Sequence, residues 1–499
     1  MTFYFYDLET SGISSRAQRI MQFAGQRTDM DLNPIGEPDD WLIKLSDEIL
    51  PDPEAILVTG ITPQKTHAEG YTEAEFLKLF FENVCQPDTI ITGFNSARFD
   101  DEFMRTTLWR NFYDPYEWQW QDGRSRWDLM DVVRMVRALR PDGIKWPFGP
   151  ARKKGLSEHG KIVTPKTGDE DSKNIVPTNR LELIAELNGL EHENAHDALS
   201  DVHATIAVAK LLKNKQPKMF DYLLNMRSKK EVAKLVDPED PKPYLYTSGR
   251  YKTANNKTTA VVSLSNVEHG NVLVYDLSID PKDLINLTDE ELSKTLFIRD
   301  EKTEKLIVKV LKPNACPAVA PLGVLDEPAE ENIGLTKKTA LKNFQSLMKQ
   351  PGFIERIILI QNKFSEGRRE GFKTVTDPEF QLYDGFVGES DKQKQRVVRV
   401  ADETALADLS LDFTDPRIEP LLVRYKAKNF PRSLNPAERD EWEQYRANRI
   451  IDGVDGQLSI IDFDKKVSQL QEVKKDSDSQ YLLEELRLYA QSIVPVPDD

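Results

Sequence analysis

A chain of 499 residues, 39% hydrophobic and 30% charged, is too long for one ordinary domain; two to four soluble units are the expectation. No apolar run is long enough to span a bilayer, which excludes a helical membrane protein. The formal net charge of −16 argues, by itself, against nucleic acid, because phosphate binding leaves a basic footprint. Charge is uneven, however. Residues 213–257 hold eleven Lys and Arg against five Asp and Glu, so a basic groove is compatible with the acidic total. Cys85 and Cys316 offer neither a metal knuckle nor a disulfide framework. The chain enters Phe3-Tyr4-Phe5-Tyr6-Asp7 without a basic leader. A cytoplasmic protein is expected.

In chain order, residues 3–9 read as a short aromatic strand, with Arg19–Arg27 and Trp41–Leu45 as its neighbours. Thr62-Pro63 opens a helix with Thr as cap and Pro in the first turn. Thr89–Gly93 is a second β-rich run. Residues 128–139 and 180–188 have helical periodicity, and Asp197–Lys213 is a long striped helix. The mixture is an α/β domain over 1–214. Residues 147–179, rich in Gly, Pro and charge, form either a surface loop or a flap beside a site. The stretches Ala260–Leu264, Val272–Leu277 and Leu306–Leu311 make 215–370 a β-rich domain. A polar stretch near Ser365–Thr376 separates it from a helical domain over 371–499, where Asn435-Pro436-Ala437-Glu438 is a capping box. The Gly367–Gly371 glycines lack phosphate-loop spacing.

The chemistry concentrates in the first domain. Asp7 and Glu9, two apart on a strand, point to the same face as Phe3 and Phe5. Carboxylates ending an apolar face are costly unless compensated, and divalent metal suits closely placed acidic oxygens. Asp100 follows the strand 89–93, and Asp201 lies on the helix Asp197–Lys213, with His196 just before it. Phosphodiester cleavage needs neutralised phosphoryl oxygens and an activated water. Two metals held by three or four carboxylates meet the first need, and a histidine with a pKa of about 6.5 meets the second.

In order and context, Asp7-x-Glu9, Asp100 and His196-x4-Asp201 resemble the three motifs of the DnaQ-like (DEDDh) 3′→5′ exonucleases. Asn95–Glu102, residues 110–116, Ser125–Asp128, 194–198 and Leu421–Pro431 resemble the exodeoxyribonuclease I branch of that family. The resemblance implies a ribonuclease-H-like α/β exonuclease domain, an SH3-like β-rich domain and a C-terminal helical domain, forming a C-shaped molecule around a single strand. It implies Asp7, Glu9, Asp100 and Asp201 as ligands of two Mg²⁺ ions, with Mn²⁺ as substitute, and His196 as general base. The resemblance further implies Glu9, Arg105, Tyr116, Trp120, Arg134 and Arg180 as substrate contacts. The expected activity is processive degradation of single-stranded DNA to deoxynucleoside 5′-monophosphates, in repair and recombination, by a monomer. The expected partner is the acidic C-terminal tail of the single-stranded-DNA-binding protein, near Tyr222 and Lys242; Asp326 departs from the basic character expected after Cys316-Pro317. An RNA-trimming or proofreading relative and a non-catalytic single-strand-binding scaffold are the alternatives. The complete acidic set argues against the scaffold, since it would retain costly charges for no purpose.

Four of the seven tryptophans, Trp109, Trp118, Trp120 and Trp127, fall among Phe112, Tyr113, Tyr116, Arg110, Arg124 and Arg126. As a group they suggest a wall on which bases stack, each contact being worth about 1–3 kcal/mol. His192 reads as a loop residue and His203 as a surface or packing residue.

Overall fold

The computed structural model describes residues 1–150, 175–190, 197–297, 306–371, 376–454 and 456–495. Strand β1 (Thr2–Thr10) is the axis of the first sheet. Its odd residues Phe3 and Phe5 enter one core, and Tyr4, Tyr6 and Leu8 enter another on the opposite face. Burying each Phe contributes roughly 1.5–3 kcal/mol, so register is strongly fixed and Asp7 and Glu9 must continue the Phe3 face.

β2 (Ile20–Thr28) pairs antiparallel with β1, as expected. β3 (Asp39–Leu42) differs from expectation: it is shorter and pairs with β2 rather than β1. The other edge of β1 is taken by β4 (Thr89–Gly93), in parallel, and β4 in turn pairs in parallel with β5 (Ser125–Asp128). The sheet order is β3-β2-β1-β4-β5.

Helix α1 (Pro53–Thr59) precedes α2 (Pro63–Glu69), where the Thr62 hydroxyl accepts from the Lys65 N–H at 3.2 Å as the cap predicts. Then come α3 (Glu73–Leu79), α4 (Asp100–Arg110), α5 (Leu129–Leu139), α6 (Leu181–Leu187) and α7 (Ala198–Lys215). α5 and α7 cover the Phe3 face of the sheet. β6 (Phe148–Pro150) and β7 (Ile175–Pro177) pair antiparallel and bracket 151–174, so most of the expected loop or flap lies outside the described residues.

A second, antiparallel sheet has the order β11-β10-β9-β8-β12, from β8 (Tyr244–Thr247), β9 (Thr258–Val267), β10 (Asn271–Asp276), β11 (Val308–Leu311) and β12 (Val319–Pro321). Helices accompany it, and one of them, Pro351–Gly371, runs on into the polar stretch expected to be a separator. The region beyond is helical. Asn435 caps Pro436–Ala447 through a full capping box with Glu438.

The C-terminal region packs against the first domain at two apolar seams. Leu45, Ile49, Ile56 and Ile61 meet Phe463, Leu483 and Leu486. Trp109 and Phe112 meet Leu382, Ile418 and Tyr425. Between these seams lie buried ion pairs, including Arg110 with Glu73.

Candidate active site

The end of β1 and the start of α7 bring Asp7, Glu9 and Asp201 together: one carboxylate oxygen from each lies within 4.8 Å of the others. β1 supplies two of these by its alternation, and α7 supplies Asp201 one turn after its cap. That cap is Asp197, whose carboxylate accepts from the Ser200 N–H at 3.1 Å. A bulge sharpens the strand end: Glu9 faces Gln22 and Thr10 faces Ile20, leaving Met21 as the extra residue.

Asp100, the first residue of α4, is buried and near enough for its charge to act on Asp7, but it is not among the three carboxylates that converge within 4.8 Å. It follows a turn in which Asn95 takes the left-handed conformation at φ 71°. Asp128 holds that turn. Its carboxylate accepts from the N–H groups of Asn95 (2.9 Å), Ala97 (3.1 Å) and Met130 (2.8 Å), so it both caps α5 and fixes the approach to Asp100. Burial raises the Asp128 pKa to about 6.

Burial, then repulsion among carboxylates, pushes the acidic group upward. Asp7 is raised well above the ordinary range by burial and by Asp100, Asp201 and Asp197. Glu9 is raised to about 9 by burial and by Asp7, Asp201 and Asp197. Asp100 is raised by burial and by Asp101, Asp128 and Glu9, against its own backbone hydrogen bond, which lowers it. The charges acting on Asp7 and Glu9 are all negative. Such a set keeps its ionised form only beside added positive charge, and oxygen donors at this spacing fit a hard divalent cation. Asp101 is the instructive contrast. It also is buried, yet it accepts from Tyr6 Oη at 2.7 Å and Gln119 Nε2 at 2.9 Å and pairs with Arg126, so its charge is already satisfied.

His196 and His192 lie outside the described residues. His203 is exposed on α7. Asp197 was not among the candidates, although its place as a helix cap two residues from Ala195 marks it as polar and fixed. Asp128 was missed as well; an aspartate just ahead of the apolar run Leu129–Leu139 is the available signal.

The positions expected to hold substrate separate into groups. Arg105 and Tyr116 sit together, the guanidinium 5.5 Å from the ring, with Arg105 also bonded to Glu102 and, at 3.0 Å, to Gln119. Trp120 is 62% exposed. Arg134 pairs with Asp131 at 2.6 Å, and Arg180 stands just before α6, 3.9 Å from Glu182. The aromatic wall needs correction. Trp109, Trp118 and Trp127 are buried in three different cores, and Arg110 and Arg124 are buried too. They lie on a helix, a turn and a strand, which aim neighbouring residues to separate interiors. Trp120 alone of the four remains available to a base.

A second cationic group went unnoticed in sequence. A Cβ on Gly249 would lie 2.7 Å from Arg98 Nη1 and 3.3 Å from Arg134 Nη1, so the loop after β8 packs directly on two arginines of the first domain. Lys309 on β11 contacts the Tyr246 hydroxyl and lies 4.4 Å from that ring. Burial lowers the Lys309 pKa to about 7; Asp131 opposes this, while Arg98 and Arg250 reinforce it. Arg98 immediately precedes the Phe99-Asp100 segment, so this seam adjoins the acidic group in sequence.

Known proteins match this arrangement throughout. An exonuclease family profile matches residues 4–209, the exonuclease I SH3-like domain matches 227–364, and the exonuclease I C-terminal domain matches 376–493. Exodeoxyribonuclease I of Escherichia coli is 36% identical over 504 aligned positions, covering 99% of this chain and 98% of its own length. The chain belongs to the exonuclease I family. It is therefore an exodeoxyribonuclease, with an exonuclease domain followed by SH3-like and C-terminal helical domains. Escherichia coli exonuclease I in complex with a dA16 oligonucleotide superposes with a TM-score of 0.87 at 36% identity, covering 99% of this chain and 100% of that one. The zinc-bound form of the Escherichia coli enzyme with single-stranded DNA gives 0.86 at 34% identity, covering 99% and 100%. Among the described residues no helix is long and apolar enough to cross a membrane.

Proposed function

We propose that this exodeoxyribonuclease, which works on single-stranded DNA from the 3′ end, releases deoxynucleoside 5′-monophosphates using two divalent cations, Mg²⁺ or Mn²⁺. The observation that carries this is the convergence of Asp7, Glu9 and Asp201 within 4.8 Å at the end of a buried strand. Asp7, Glu9, Asp100 and Asp201 are the proposed ligands. Bound there, divalent cations would neutralise charge on the phosphoryl oxygens and acidify a water. His196, one residue before the Asp197 cap, is the proposed base that takes the proton from that water. Asp128 holds the turn that delivers Asp100. Glu9, Arg105, Tyr116, Trp120, Arg134 and Arg180 are the proposed substrate contacts, with the exposed Trp120 as a stacking surface.

The test uses one oligonucleotide labelled at its 5′ end, as single strand and as blunt duplex, with Mg²⁺ or EDTA. A metal-dependent ladder shortening from the 3′ end of the single strand, with the duplex spared, is expected. Binding without cutting would leave a non-catalytic strand-binding protein instead.

We also assign backbone phosphates to the cationic seam of Arg98, Arg134, Arg250 and Lys309. Phosphate favours the charged lysine, which the free protein loses as pH rises through about 7. Single-strand affinity measured in EDTA should therefore weaken between pH 6.5 and 8.5, by about 3- to 10-fold, up to one decade per pH unit per proton taken up. Lys309→Met should remove most of that slope. An equal slope in the variant would assign the dependence elsewhere.

The acidic tail of a single-stranded-DNA-binding protein is the proposed partner. The exposed, Asp240-paired Lys242 and the half-buried Tyr222 are its expected contacts, while Asp326 pairs with Arg140 at 3.2 Å. Unchanged capture of a tail peptide by Lys242→Glu would argue against that placement. A monomer acting in DNA repair and recombination, in a reducing cytoplasm where Cys85 and Cys316 remain free thiols, completes the proposal.

A further inference from the structure

The C-terminal region reaches the first domain immediately behind the strand end that carries Glu9. Two residues beyond Glu9, Ser11 and Arg19 close a loop. The Ser11 N–H donates to the Arg19 carbonyl at 2.9 Å, the Arg19 N–H donates to Ser11 Oγ at 2.9 Å, and Ser11 Oγ donates to Gln18 Oε1 at 2.7 Å. Three C-terminal groups grip this pairing from outside. Glu379 accepts from Arg19 Nη2 at 2.7 Å, Arg449 Nη2 donates to the Ala17 carbonyl at 2.9 Å, and the Gly456 carbonyl accepts from Gln18 Nε2 at 3.1 Å. Gly456 sits at φ 86°, and a Cβ there would lie 2.5 Å from the Ser14 side chain, so the Gly456 backbone packs on that side chain without room for one of its own.

The grip is made of charge in a dry place. Arg19, Glu379, Lys428 and Arg449 are each about 1–2% exposed. The Glu379 carboxylate is the common anion: Lys428 lies 2.6 Å from it and Arg449 3.9 Å from it. Glu48, at 2.8 Å, is the other anion on Arg19. Buried pairs with several partners are directional and stiff, and losing one anion leaves cations uncompensated. The bulge at Met21 lies next to this loop, so the angle at which Glu9 leaves β1 depends on where residues 17–19 are held.

We infer that Glu379 is a positioning residue for the acidic site, acting through Arg19 and the Ser11–Arg19 closure on Glu9. The C-terminal domain thereby shapes the metal end of β1 in addition to packing on the first domain. The inference rests on the proposed reading of Glu9 as a metal ligand. Groups that orient ligands from outside typically change metal affinity by about 10–100-fold when removed. Glu379, one step further out, should change it by about 3- to 10-fold.

The experiment measures Mn²⁺ binding to the full-length protein without DNA, by calorimetry, for four variants. Glu379→Gln and Arg449→Met should each weaken Mn²⁺ binding by about 3- to 10-fold. Lys428→Met removes a cation from the same carboxylate while leaving the Arg19 contact, so it should lower thermal stability and leave Mn²⁺ affinity unchanged. Glu9→Gln is the reference. If Glu9→Gln leaves Mn²⁺ binding intact, the metal reading itself fails. If Glu9→Gln weakens binding but Glu379→Gln and Arg449→Met do not, the positioning inference is overturned. It is equally overturned if Lys428→Met weakens binding as much as they do. Should Glu379→Gln fail to fold, the contrast between Arg449→Met and Lys428→Met decides the matter.

Discussion

Asp7→Ala and Asp201→Ala are each expected to abolish nucleotide release, while single-strand binding persists. The two residues come from different elements, a strand end and a helix, and meet within 4.8 Å. Losing one ligand from such a group removes both the charge and the geometry that hold a cation. The same substitutions make a second, opposite forecast. Burial and repulsion from Asp100, Asp201 and Asp197 raise the Asp7 pKa, so in EDTA the carboxylate is a strain on the fold. Removing it should raise Tm in EDTA, by roughly 2–4 °C for each kcal/mol of repulsion relieved. Normal turnover in either variant would refute the site. A lowered Tm with lost activity would show that the fold, rather than the chemistry, was damaged.

His196→Ala is expected to slow cleavage by about 10²–10⁴-fold, the usual worth of a general base, with metal affinity and strand affinity unchanged. The pH profile separates a base from a merely nearby histidine. A base works as the neutral imidazole, so the wild-type rate should rise as pH passes through a value near 6.5 and then level off. In the variant that rise should vanish. Single-turnover measurement at saturating Mg²⁺ keeps binding out of the comparison. A rate within twofold of wild type would mean that another group takes the proton from the water.

Neighbour relations and exposure separate what was legible in sequence from what was not. Alternation along residues 3–9 placed Asp7 and Glu9 on one face because a strand repeats every two residues, and the observed register agrees. The caps at Thr62 and Asn435 were legible because a cap is a contact three residues long. The pairing of Trp41 was misplaced, because sequence shows a strand without showing which edge of β1 another strand has taken. The aromatic wall failed for the same reason: Trp109, Trp118 and Trp127 stand close in sequence but enter three different interiors.

By itself, the sequence determined the three-part order of domains and the family and singled out Asp7, Glu9, Asp100 and Asp201 as candidates, since each is written in local spacing and residue type. Only the tertiary structure decided that Asp128 props the Asp100 turn, that the Gly249 loop packs on Arg98 across a seam, and that Glu379 grips Arg19 from 360 residues away. Those contacts join residues of ordinary type with no periodic signature. A buried charge is stabilised by whichever opposite charge the fold brings to it, and chain order does not encode that partner.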